Sequence, residues 1–282
     1  MKKSAFLIPC HPPKFHFLGP LLRSYHQFFD DNDIFVVFMS EAERDQFRVD
    51  FPDLDPSYFI HGAGCTKGNV ITTKKFKGLN DVFALGYDYV GVIDAECLFL
   101  KHIDYDTYFR GWFAARRFYG SEQTSTYREF KQRLLEAPKR FFNDEQRAKI
   151  DEVNPNNRLY CWFNNVPIYE RKSFEALFEG FTYDKLIFED FDYTIYMYHL
   201  IADHGFTMEV INVDGRPIQT EFGFLEDQRR LYRMHSISIE QYATVMRWMR
   251  PLWVVLPHDL FNPEVMLRFH LDRGFHVELE KL

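Results

Sequence analysis

Apolar runs and amphipathic stretches alternate along the amino-terminal part of the chain. Ala5–Cys10 predicts a strand, with the loop His11-Pro-Pro-Lys-Phe at its carboxyl end. Pro20 is then expected to open a helix in which Leu21, Leu22, Tyr25, Phe28 and Phe29 share one face. Ile34–Met39 predicts a second buried strand. A polar helix from Ser40, with Glu43 completing a capping box, carries the chain to Pro52. A short strand at Tyr58–His61, a helix over Thr72–Gly86 and a strand at Tyr89–Ile93 follow. Apolar runs without a polar face are the pattern of strands covered on both sides. Their alternation with helices predicts a mostly parallel α/β sheet that binds ligands beyond its carboxyl ends.

The rhythm changes from about Asp104 to Arg158. Thr126 with Glu129 and Asn143 with Gln146 form capping pairs, Pro138 interrupts, and Asn154-Pro155-Asn156-Asn157 closes the region, so a helical insertion is expected. Beyond it, Tyr160–Tyr169 is strand-like and Ser173–Gly180 is a short helix. Leu186-Ile-Phe188 predicts a buried strand that leads through Glu189, Asp190 and Asp192 into a helix closed by Gly205. Strands at Phe206–Val213 and Arg216–Phe222, a helix capped by Ser238 and Gln241, a helix from Asn262-Pro263 to Gly274 and a strand at Phe275–Leu279 complete the pattern. No repeat or second domain is evident, so residues 1–282 read as one α/β domain.

Chemistry concentrates where the Tyr89–Ile93 strand ends, at Asp94 and, after one spacer, Glu96. Acids at i and i+2 on extended backbone point the same way, about 7 Å apart, within reach of one divalent cation. Acids after a strand often only cap a turn. Here Ala95 and Cys97-Leu98-Phe99-Leu100 make them polar islands in apolar sequence, where isolated charge is costly unless paired or metal-bound. Lys74, Lys75 and Lys77, with Thr73, begin the preceding helix, where cations can meet a diphosphate or simply face solvent. The glycines of His61–Asn69 invite a phosphate-loop reading, but neither GxxxxGK nor GxGxxG fits. Trp162, Asn164 and Asn165 offer an indole and two amides that could stack on and hydrogen-bond a sugar. Glu189, Asp190 and Asp192 suit a helix dipole, yet three acids exceed what capping needs, so one is a candidate base.

Composition narrows the classes. The formal charge of −7 argues against a general nucleic-acid or anionic-membrane surface. No apolar run reaches the roughly 18 residues of a membrane span. The four cysteines are scattered without a CxxC pair, and the apolar part of MKKSAFLIPCHPP is too brief for a signal peptide, so a cytoplasmic protein with reduced thiols is expected. Aromatic residues make up 18% of the chain, enough to supply both core and sugar-stacking surfaces.

Taken in order, these stretches resemble glycosyltransferases of the GT-A fold. The likeness rests on the β-α-β-α start at Ala5-Phe-Leu-Ile-Pro9 and on the lysine-bearing helix before Tyr89-Val-Gly-Val-Ile-Asp-Ala-Glu96, which is similar to the family's DxD motif. It rests also on the strand Trp162-Phe-Asn-Asn-Val-Pro-Ile-Tyr169 and on Phe188-Glu-Asp190 at a helix start. The motif here reads Asp-Ala-Glu rather than Asp-x-Asp. The resemblance implies a nucleotide-binding half at 1–103, a helical insertion at 104–158, and an acceptor-binding half with carboxyl-terminal helices at 159–282. It implies a nucleotide-sugar donor held near Pro9, His11, Lys74, Lys77 and Asp94, with Mn²⁺ or Mg²⁺ on Asp94, Glu96 and a late histidine. Among His235, His258 and His270, His235 is preferred for its neighbours Arg229, Arg230 and Arg233. Asp190, or Glu189, takes the base's role, while Trp162, Asn164, Asn165 and Asp192 meet a carbohydrate or glycolipid acceptor. The implied work is sugar transfer in surface polysaccharide or glycoconjugate synthesis, with inversion favoured over retention. Peripheral membrane association stays open. Two other readings share these features: a metal-dependent nucleotidyltransferase, and a carbohydrate-binding protein that keeps the fold without turnover.

Overall fold

The computed structural model describes residues 4–62, 68–95, 97–99, 102, 104–122, 128–160, 167–179, 181, 185–210, 212–213, 216–217 and 253–255. In the amino-terminal part, strands β1 (Ser4–Pro9), β2 (Ile34–Phe38), β3 (Ser57–Ile60) and β4 (Tyr89–Val92) alternate with helices α1 (Phe15–Phe28), α2 (Glu41–Asp50) and α3 (Val70–Ala84). Then come β5 (Cys97–Phe99), α4 (Tyr105–Ala115), β6 (Arg117–Glu122), α5 (Arg128–Glu136) and α6 (Asp144–Val153). Next are β7 (Leu159–Tyr160), β8 (Ile168–Glu170), α7 (Arg171–Phe178) and α8 (Asp192–His204). Short strands β9 (Thr207–Val210), β10 (Asn212–Val213), β11 (Arg216–Pro217) and β12 (Trp253–Val255) end the described part.

The central sheet has the order β3-β2-β1-β4-β8. Its β1–β2, β2–β3 and β1–β4 pairs are parallel and only the edge strand β8 runs antiparallel, so the mostly parallel α/β expectation stands. Two layers form because successive side chains of each strand face opposite ways. Phe6 and Ile8 meet Leu18, Leu21 and Leu22 of α1 and Phe109 of α4. Leu7 and Val37 meet Phe76, Leu79 and Val82 of α3, with α8 behind. Burial of each such side chain contributes about 1.5–3 kcal/mol, which is why the strands read as unbroken apolar runs.

Caps written in the local sequence are present. Ser40 Oγ accepts from the Glu43 amide, and Asn143 and Gln146 form a reciprocal capping box. Elsewhere the chain departs from expectation. Pro20 lies inside α1, which begins at Phe15 behind a 3-10 turn at Pro12–Lys14; the proline pair starts the helical path before Pro20 can. The 104–158 region is not wholly helical, because β6 pairs with β7 and, in parallel, with β9. Leu186–Phe188 is loop rather than strand. Side chains satisfy its backbone in place of a ladder: Asp190 accepts from the Ile187 amide, and Asn69 donates to the Ile187 and Phe188 carbonyls. The expected strand from Phe206 is divided into β9 and β10, and β12, unforeseen from sequence, pairs antiparallel with β5. The expected elements beyond Val255 lie outside the described residues.

Candidate active site

Sheet order reverses between β1 and β4, where the first crossover runs from β1 to β2 and the α3 crossover returns to β4. Such a switch point opens a crevice at the strands' carboxyl ends. Helix α3 lies across it. Gly78 makes that close approach feasible, since a Cβ there would come within 2.7 Å of Val37 Cγ2. Asn69 caps the helix by accepting from the Thr72 amide at 3.0 Å, and its own amide donates to the Asp190 carbonyl at 2.8 Å.

The first turns of α3 put two lysines over the crevice. Lys74 is buried and its Nζ donates to the Cys10 carbonyl, just past the end of β1. Lys75 Nζ sits 3.6 Å from Asp94 Oδ1, just past the end of β4, and 3.4 Å from Asp192 Oδ1 at the start of α8. Burial alone would push the Lys75 ammonium toward neutrality. Asp192 and Asp94 outweigh it and hold the proton more tightly than in an ordinary lysine. One ammonium against two carboxylates leaves the cluster with one net negative charge.

Asp192 is only 1% exposed. Its Oδ2 accepts from the Tyr169 hydroxyl at 2.5 Å, and burial together with that carboxylate pushes the Tyr169 phenol well above its usual range, so it stays a donor. The Asp192 amide donates to Thr72 Oγ1 at 3.2 Å, while the Thr72 hydroxyl donates to the Asp190 carbonyl at 2.8 Å. Asp190 is fully buried, and both its carboxylate oxygens are gripped by the Arg140 guanidinium. Arg140 also donates to the Lys185 carbonyl at 2.8 Å. Glu189 differs: its carboxylate is partly exposed and lies 3.9 Å from Arg133 Nε.

No protein-family model matches this chain, and no curated protein matches it. Among solved structures it is similar to TarS of S. aureus at 13% identity, over 88% of this chain and 39% of that one, with a TM-score of 0.36. The WbbM bifunctional glycosyltransferase gives 13% identity, 74% and 39% coverage and 0.39. A cytidylyltransferase from Leptospira borgpetersenii gives 11%, 93% and 100%, and 0.41. The chain spans less than half the length of the TarS and WbbM chains. At these scores the fold rests on the sheet itself, with its parallel strands, its reversal at β1 and β4, and its antiparallel edge. The fold is α/β, a mostly parallel sheet flanked by helices.

Within this frame the expected site residues are distributed as follows. Asp94, Lys74 and Asp192 converge at the switch point; Pro9 ends β1, and His11 is exposed immediately beyond it. Lys77 is half-buried further along α3. Glu96, Trp162, Asn164, Asn165 and His235 lie outside the described residues. Sequence reasoning named Lys74 and Lys77 for the donor rather than Lys75, and it missed Tyr169 and Arg140. Tyr169 ends an expected strand as an ordinary aromatic, and Arg140 stands far from Asp190 in the chain, so neither gave a local signal.

For a divalent cation, Asp94 is the described carboxylate that fits. Its side chain is 31% exposed, whereas both Asp192 oxygens are committed to Lys75 and Tyr169. Mg²⁺ keeps several waters and takes one or two carboxylates with substrate phosphates, so a single exposed carboxylate is an adequate protein contribution. Among the described residues no group of three or more His, Cys, Asp or Glu side chains is placed to hold a metal ion alone.

Proposed function

We propose that this protein is a glycosyltransferase that moves a sugar from a nucleotide-diphosphate sugar to an acceptor hydroxyl. The Lys75–Asp94–Asp192 cluster at the switch point carries the reading. A buried ammonium held between two carboxylates and aimed at the strand ends is more than a helix start requires, and it fixes the direction of the exposed Asp94 carboxylate. Tyr169 and Asp192 keep Lys75 in place, and Lys74 braces the end of β1, where Pro9 and, just beyond it, His11 border the nucleotide. When bound at Asp94, Mn²⁺ or Mg²⁺ supplies Lewis-acid neutralisation of the diphosphate leaving group. Glu96 and His235 are its remaining proposed ligands.

Glu189, the acid of its loop with a partly exposed carboxylate, takes the proton from the acceptor hydroxyl as that oxygen attacks the anomeric carbon; attack opposite the leaving group inverts the centre. Asp190, the other candidate, serves through Arg140 as the loop's anchor. Trp162, Asn164 and Asn165 orient a carbohydrate or glycolipid acceptor, in the building of a surface polysaccharide or glycoconjugate on the cytoplasmic side. The test is product analysis with a panel of nucleotide sugars, Mn²⁺ and simple sugar acceptors. Release of nucleoside diphosphate supports the reading. Pyrophosphate released from a nucleoside triphosphate and a sugar phosphate would assign nucleotidyl transfer instead, and binding without turnover would leave a carbohydrate-binding protein.

A further inference from the structure

The helix that carries the lysines also carries an uncharged side chain whose bonds reach the same acid. Thr72 lies in the first turn of α3 and is 1% exposed. Its hydroxyl donates to the Asp190 carbonyl at 2.8 Å and accepts from the Asp192 amide at 3.2 Å. A hydroxyl has one hydrogen to give. Here it goes to the carbonyl, which leaves a lone pair for the amide. Asp192 opens α8, whose N-cap residue is Phe191. The first amides of a helix lack partners within it, and phenylalanine has no oxygen to offer them, so no side-chain cap forms at Phe191. The Asp192 amide is served from α3 instead.

Asp192 is thereby held at three points. Thr72 takes its amide, the Lys75 ammonium lies 3.4 Å from Oδ1, and the Tyr169 hydroxyl donates to Oδ2 at 2.5 Å. Thr72 and Lys75 are three residues apart on α3 and so project from one face of the helix. One meets the backbone of Asp192 and the other its carboxylate. The backbone contact fixes where that carboxylate starts, and the carboxylate fixes where Lys75 ends, 3.6 Å from Asp94 Oδ1. The Asp190 carbonyl has a second brace in the Asn69 side-chain amide, at 2.8 Å, so loss of the Thr72 hydroxyl falls on the Asp192 amide.

We propose that Thr72 is a positioning residue of the donor site, setting Asp192, and through it Lys75 and Asp94, against the nucleoside diphosphate. This rests on the transferase reading, to which it adds a residue that acts through Asp192. The experiment is calorimetric titration of uridine, guanosine, adenosine and cytidine diphosphates, each with Mn²⁺, into the full chain as wild type, Thr72→Val, Thr72→Ala and Thr72→Ser. Urea midpoints are measured on the same samples. The diphosphate that binds wild type best is expected to bind Thr72→Val at least about tenfold more weakly, because the carboxylate and its lysine are misplaced. Thr72→Ala lacks the same hydroxyl without setting a methyl against the amide, and it carries the test if the valine variant does not fold. Thr72→Ser keeps the hydroxyl and should restore most of the affinity. A lowered urea midpoint with wild-type affinity in the folded valine or alanine variant would overturn the proposal, since a helix cap alone has that effect. So would a serine variant that binds as weakly as the valine one. Both outcomes leave the transferase reading in place, whereas wild-type protein that binds none of the four diphosphates would remove that reading and this inference with it.

Discussion

Asp190 and Arg140 illustrate how one residue can be structural where its type suggests chemistry. A buried carboxylate without its counter-ion is far more costly than the pair itself is worth. Arg140→Met is therefore expected to lower stability by about 2–3 kcal/mol, discounted because the guanidinium is partly exposed, with the deficit read from urea midpoints. His199 offers a second test. Burial, then the nearby His204, holds its imidazole below the ordinary value of 6.5, against the pull of Asp203 at 2.9 Å. The unfolded chain therefore takes the proton first as pH falls. This histidine's contribution is complete above pH 6.5 and declines below it, toward the lower value of the folded state. Comparing urea midpoints at about pH 7.5 and about pH 5.5 should show a drop in wild-type protein that is smaller in His199→Gln. Equal drops would remove His199 as a source of acid sensitivity.

At the level of elements, α3 joins fold to site, and its seat on the sheet depends on one missing side chain. Gly78→Ala would bring a Cβ to 2.7 Å from Val37 Cγ2 and 3.1 Å from Leu7 Cδ2, so the helix must lift or the strands must yield. The expected loss is about 1–3 kcal/mol, with weakened nucleotide binding because Lys74 and Lys75 move with the helix. An unchanged urea midpoint would show that the packing relaxes freely. The parallel strands β1, β2 and β4 were legible because they are buried almost throughout, and the caps at Ser40 and Asn143 because their partners are three residues away. The β7-β6-β9 sheet was hidden: Arg117–Glu122 mixes charge, aromatic ring and glycine, and its parallel partner β9 lies far along the chain. Leu186–Phe188 misled for a related reason. Three apolar residues suggest a strand, but Asn69, distant in sequence, had already claimed two of their carbonyls.

For the whole molecule, the sheet's switch point decides which of many charged residues can act together. Sequence marked Asp94 at the end of a strand and a group of lysines at the start of the helix before it. It named Lys74 and Lys77 and passed over Lys75, because nothing local shows that Lys74 and Lys75 project in different directions from α3 and end at β1 and β4 respectively. Nor could it bring Asp192 and Tyr169 to the same point. If that convergence is the donor site, removing the charge of its exposed carboxylate should weaken binding without unfolding the protein. Calorimetric titration of nucleoside diphosphate with Mn²⁺ into wild-type protein and Asp94→Asn tests this directly. The account predicts measurable binding by wild type and a loss of about tenfold or more in Asp94→Asn, with circular dichroism unchanged. Equal affinity in the two proteins would contradict it.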